Sequence, residues 1–97
     1  MKIVMIAYNE AMDMEVMEVM ENCAMRNYTK LTGVYGKGAN SGTHLGNDIW
    51  PGRNNVLYIA CQLEEANQLM SCVANLRKKL SKEGIKAFVW DIDDITD

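Results

Sequence analysis

The sequence predicts a single α+β domain, residues 1–97, with a four-stranded antiparallel sheet and two helices on one face. Two observations point there. Apolar residues recur with strand-like and helix-like spacing in the order β-α-β-β-α-β. Each helical stretch lies between two strand stretches, and right-handed crossovers then fold the two halves into the ferredoxin-like arrangement. A length of 97 residues suits one domain, and no internal linker divides it.

The elements follow in order. Ile3-Val4-Met5-Ile6-Ala7-Tyr8 is a nearly continuous apolar run and reads as a buried strand. Asn9 is a candidate N-cap, and Glu10 and Asp13 place negative charge in the first turn of a helix over residues 10–25. Its inward stripe is Met12, Val16, Val19, Met20 and Cys23, with Glu15, Glu18, Glu21 and Asn22 opposite. Tyr28 to Tyr35 is rich in β-branched and aromatic residues and reads as the second strand. Val56 to Cys61 is the third. Glu64 and Glu65 open the second helix, whose buried stripe is Ala66, Leu69, Val73, Leu76 and Leu80. Lys78, Lys79 and Lys82 suit its negative end and Gly84 its stop. Ile85 to Ile92 is the last strand, followed by the acidic tail Asp93, Asp94 and Asp97.

Between the second and third strands runs GKGANSGTHLGNDIWPGRNN, residues 36–55. It holds the chain's only proline and only histidine, and it lacks helical or strand periodicity. Connections in compact domains usually run about 4–6 residues, so a loop this long between convincing strands reads as functional. His44, Asp48, Trp50 and Arg53 are its candidate partner-binding residues. Ile49, Trp50 and Pro51 form an apolar knot, and Trp50 is the expected anchor.

Two helices cover one face of the sheet only. A second face in water should be polar, yet the first and third strands are apolar on both faces, and Ala87, Phe88, Val89 and Trp90 stand side by side in the last. The second face is therefore expected to be buried against other copies of the chain.

Composition excludes several function classes. A net charge of −3 without a basic stripe argues against general nucleic-acid binding. The longest apolar run, Ile3–Ala7, is far short of a membrane span. Lys2 and the short run after it do not make a signal peptide, so a cytoplasmic protein is expected. Cys23, Cys61 and Cys72 fit no zinc spacing, and each sits in an apolar pattern, so buried free thiols are expected. The methionines crowding the first helix read as packing before they read as Cu(I) ligands. His44 with Asp48 is the one metal-ligand pair the loop offers. Nothing assembles a nucleophile, a base and an orienting group, so an enzyme is not expected. Gly36-Lys37-Gly38 ends a strand without opening a helix and lacks the full P-loop pattern, although such glycines let backbone approach a ligand.

Together these features resemble the P-II signal-transduction family, the trimeric regulators of nitrogen metabolism. The resemblance rests on the βαββαβ order, on Gly36-Lys37-Gly38 leading into a long T-loop-like segment (37–55), and on Lys86-Ala87-Phe88-Val89-Trp90-Asp91-Ile92 in the last strand. It implies a homotrimer packed through sheet faces, with an adenine nucleotide held in clefts between subunits. Gly36, Lys37 and Gly38 would line the loop base, and Lys86 would reach toward phosphate. The chain departs from the family pattern in three places. Ser81 to Lys86 replace a glycine-rich loop, Ala39-Asn40 stand where Arg-Gln is usual, and acidic residues replace a basic C-terminal segment. No tyrosine lies between Gly36 and Val56. The resemblance thus implies a divergent regulator, with a small molecule or metal ion as effector and a membrane transporter as the controlled partner. The alternatives are a trimeric metal-tolerance protein and a small-molecule-binding module of the amino-acid-sensing type.

Overall fold

The structure, a computed structural model, describes residues 1–23, 25–36, 53–80 and 84–96. Four strands and two helices run in the expected order: β1 Lys2–Asn9, α1 Asp13–Glu21, β2 Thr29–Tyr35, β3 Arg53–Cys61, α2 Leu63–Lys79 and β4 Ile85–Asp91. The sheet order is β2-β3-β1-β4, with every neighbouring pair antiparallel. This is the four-stranded ferredoxin-like sheet with two helices, as the periodicity predicts.

The register fixes which residues face the helices. Val4, Ile6 and Tyr8 of β1 stand opposite Ile59, Leu57 and Asn55 of β3 and opposite Val89, Ala87 and Ile85 of β4. Val4, Ile6, Tyr8, Leu57, Ile59 and Ile85 join Val16 and Met20 of α1 and Ala66, Leu69, Val73 and Leu76 of α2 in the core, with Ala87 packed against it, while Val89 at the sheet edge is exposed. Side chains at i and i+2 on a strand share a face, so one slip of register would turn this whole set outward.

The first helix is shorter than the pattern suggests. Glu10–Met12 form a 3-10 turn, started by Asn9, whose side chain accepts from the Ala11 N–H at 2.9 Å. The α-helix proper spans Asp13–Glu21, and its end tightens where the Asn22 N–H bonds the carbonyls of Val19 and Glu18. The second helix begins one residue earlier than expected, at Leu63. Gln62 and Glu65 form a capping box there, with the Gln62 N–H donating to Glu65 Oε1 at 3.1 Å. It ends at Lys79. Leu80, expected in the buried stripe, lies beyond the last turn and is exposed. Gly84 does not stop the helix; its carbonyl instead accepts from the Asn9 N–H at 2.8 Å, tying the start of β4 to the end of β1.

The cysteine expectation is corrected. Cys23 and Cys72 form a disulfide, with Cα atoms 6.6 Å apart, and Cys61 alone is a buried free thiol. Each cysteine sits in an apolar pattern, but such a pattern does not say that the two positions meet. At the far end of the sheet, Lys2 pairs with Asp91 and the Ile92 N–H reaches the Met1 carbonyl at 3.1 Å.

Candidate functional site

Two features outside the core set this chain apart: the base of the long connection and the uncovered sheet face. The stems of the connection are β2 and β3, whose last pair is Tyr35 opposite Arg53. The connection therefore leaves from two adjacent strand ends and is three residues shorter than expected, because residues 53–55 belong to β3. Gly36 lies just past β2, where a Cβ would come within 2.9 Å of Asn54 Nδ2. A bulge interrupts the pairing between Leu31 and Val34, and Gly33 there takes φ +66°, a left-handed conformation that glycine adopts without strain. The alternation in YTKLTGVY hid this bulge.

Beneath the stems, polar groups from three strands converge on one carboxylate oxygen of α1. Asp13 Oδ1, at the start of α1, accepts from Tyr8 OH of β1 at 2.5 Å and from Asn55 Nδ2 of β3 at 3.1 Å. Lys30 Nζ of β2 lies 2.7 Å from the same oxygen. Burial pushes the Asp13 carboxyl up, but hydrogen bonds from Lys30, Tyr8 and Asn55 outweigh it and hold the group below the usual carboxylate range. Burial and then the bond to Asp13 push the Tyr8 hydroxyl well above its ordinary value. Asn55 Oδ1 is buried without a partner among the described residues. Sequence reading missed this hub, because Tyr8, Asp13, Lys30 and Asn55 come from four separate elements. Asn55 itself read as the last residue of the loop, so its place on a strand beside Tyr8 carried no signal.

The candidate residues fall into three groups. Lys37, Gly38, His44, Asp48 and Trp50 lie outside the described residues. Arg53, expected in the loop, opens β3; its guanidinium lies 4.0 Å from the Glu10 carboxylate and is largely exposed. Lys86 stands on β4 opposite Ala7, with its ammonium 5.7 Å above the Phe88 ring. Gly36 and Lys86 thus belong to opposite edges of the sheet, with β3 and β1 between them. One chain does not bring them together. Among the described residues, no cluster of three His, Cys, Asp or Glu side chains could hold a metal ion. No helix there is long and apolar enough to cross a membrane.

The second face of the sheet is apolar and bare. Ile3 and Met5 of β1 stand opposite Ala60 and Tyr58 of β3 and opposite Trp90 and Phe88 of β4. Leu31 of β2 extends the same surface through its pairing with Val56. Leu31, Phe88 and Trp90 are 43%, 41% and 45% exposed. Contiguous exposure of this kind marks a contact surface in a folded protein.

No family model matches the chain, and no curated protein sequence matches it. Comparison of folds does find relatives in shape. A PII-like signaling protein from Thermus thermophilus superposes with a TM-score of 0.59 at 18% identity, over 92% of this chain and 83% of that one. CPII from Thiomonas intermedia, bound to ADP, AMP and acetate, gives 0.69 at 16% identity, over 94% and 84%. The same protein, described as a nitrogen regulatory PII-like protein and bound to ADP, AMP and bicarbonate, gives 0.65 at 17% identity, over 94% and 88%. The chain has the fold of P-II-like signaling proteins over nearly its whole length.

Proposed function

We propose that the protein is a non-catalytic P-II-like regulator working as a homotrimer, with a small effector bound in the clefts between subunits and a partner engaged through the long connection. The observation that carries this reading is the bare apolar sheet face. A stable protein does not leave Phe88, Trp90, Leu31 and their neighbours in water without a use for them, and a second copy offers a matching surface. The opposite-edge placement of Gly36 and Lys86 supports the cleft, in which Gly36 of one copy would face Lys86 of another. The fold shared with proteins that bind ADP and AMP supports an adenine nucleotide as effector, with Gly36, Lys37, Gly38 and Lys86 as its contacts. A metal ion on His44 and Asp48 is the competing effector. Effector binding would order the loop bearing His44, Asp48, Trp50 and Arg53 and change which partner it holds, an order–disorder switch. The partner proposed is a membrane transporter.

The test has two arms. Light scattering should give the mass of three chains; a single-chain mass at micromolar concentration would end the reading. Melting in the presence of ADP, AMP, ATP or Zn(II) should show a rise for the adenine nucleotides, since a ligand of the native state raises its stability. A response to Zn(II) alone, lost in His44→Ala, would replace the nucleotide with a metal. Loss of the nucleotide response in Lys86→Ala would assign that side chain.

A further inference from the structure

We propose that Cys23 and Cys72 form a reversible thiol–disulfide site, opened by a dithiol reductant, whose state sets how firmly the end of α1 is held on α2. The bond joins residues 49 apart in sequence. One sulfur lies just past the last turn of α1, and the other lies midway along the inward face of α2.

α1 depends on such a tie. Nine residues are too few for a helix to persist on its own. The helix buries only Val16 and Met20 fully. Its two ends are held by different chemistry, the N-terminal end by the hydrogen bonds on Asp13 and the C-terminal end by the disulfide. Opening the disulfide removes one of two clamps and leaves the other in place. The released thiols stay in apolar surroundings, Cys72 inside the core and Cys23 packed against it, where a thiol behaves as a small apolar side chain. The fold therefore accepts both states, as a switch requires.

Exposure decides which sulfur is attacked. Cys72 is buried and Cys23 half-buried, so an incoming thiolate meets Cys23 Sγ first. The S–S bond breaks as the reductant's sulfur bonds Cys23 Sγ, and Cys72 leaves as a thiolate that takes up a proton. The reductant's second thiolate then attacks its own first sulfur and releases Cys23. The products are two cysteine thiols and the cyclic disulfide of the reductant, with two electrons transferred to the protein. Cys61 does not compete, because burial, with Glu65 nearby, pushes its thiol pKa up and keeps it protonated.

Thiols are counted by alkylation after denaturation, then melting and amide exchange are followed with and without dithiothreitol. One alkylated thiol is expected in the oxidised protein and three after reduction. The melting temperature should fall by roughly 10–20 °C on reduction. Exchange should quicken over residues 13–23 and much less over α2. Cys61→Ser should keep this response and Cys23→Ser should lose it. Three thiols after exposure to oxidised dithiothreitol, or identical melting and exchange in the two states, would overturn the proposal. Should Cys23→Ser fail to fold, the Cys61→Ser protein with and without reductant still decides it.

Discussion

The two faces of the sheet are built from the same kinds of residue and meet opposite fates. On one face Val4, Ile6, Leu57 and Ile59 lie beneath the helices and are shut off from water. On the other, Ile3, Met5 and Tyr58 are half-buried and Phe88 and Trp90 exposed, and no helix among the described residues lies over them. The first face makes the fold, and the second is available for association. An apolar strand pattern tells how many faces need cover but not what covers them.

Substitutions on the covered face should dominate stability. Leu57→Ala should cost about 3 kcal/mol in urea unfolding, because a fully buried leucine loses its contacts and leaves a cavity. Trp90→Ala should do the reverse. Self-association should weaken by roughly 30-fold, the scale of an interface anchor worth about 2 kcal/mol, while unfolding of the single chain shifts by about 0.5 kcal/mol or less. Equal unfolding costs for the two variants would erase the distinction between the faces.

The polar hub at the edge of the covered face should respond next. Tyr8→Phe removes a hydrogen bond to a charged acceptor and should cost about 1.5 kcal/mol near neutral pH. The pH dependence has a definite sign at each end. The Tyr8 value is raised by folding, so its contribution is present below 10.0 and is lost as pH rises beyond that. The Asp13 value is depressed by folding, so its contribution is present above 3.8 and is lost as pH falls beneath it. Denaturation scans should show stability falling outside this window. Tyr8→Phe should flatten the alkaline limb, and Asp13→Asn the acid one.

Smaller effects belong to the glycines in and just past β2. Gly33→Ala meets no neighbouring atom but forces a side chain into the left-handed region, at about 1 kcal/mol. Gly36→Ala pushes only on the flexible end of Asn54, so its unfolding cost should be a few tenths of a kcal/mol. A large loss of nucleotide response in Gly36→Ala, without a stability change, would single out the loop base as the ligand contact.

The sheet, its order and the bare face were legible in the sequence because each follows from apolar spacing along single elements. The N-cap at Asn9 was legible for the same local reason. Features that need two elements to meet were not. Neither Cys23 nor Cys72 carries a mark of its partner, and the groups gathered on Asp13 come from three strands. Leu80 failed differently: its spacing continues the α2 stripe, but the helix ends one residue before it. The β3 boundary failed because Arg53-Asn54-Asn55 read as loop by composition, while pairing with β2 and β1 made them strand.

The Met1–Ile92 bond and the Lys2–Asp91 pair place both ends of the described chain side by side at one end of the sheet. The long connection springs from the other end, on the order of 20 Å away at about 3.3 Å per strand residue. A tag, a surface anchor or a fused domain at either terminus would therefore lie at the end of the sheet opposite the two stems. Joining the termini through a short linker and cutting within residues 37–52 would give a circularly permuted chain with the same sheet, its new ends hanging from the two stems.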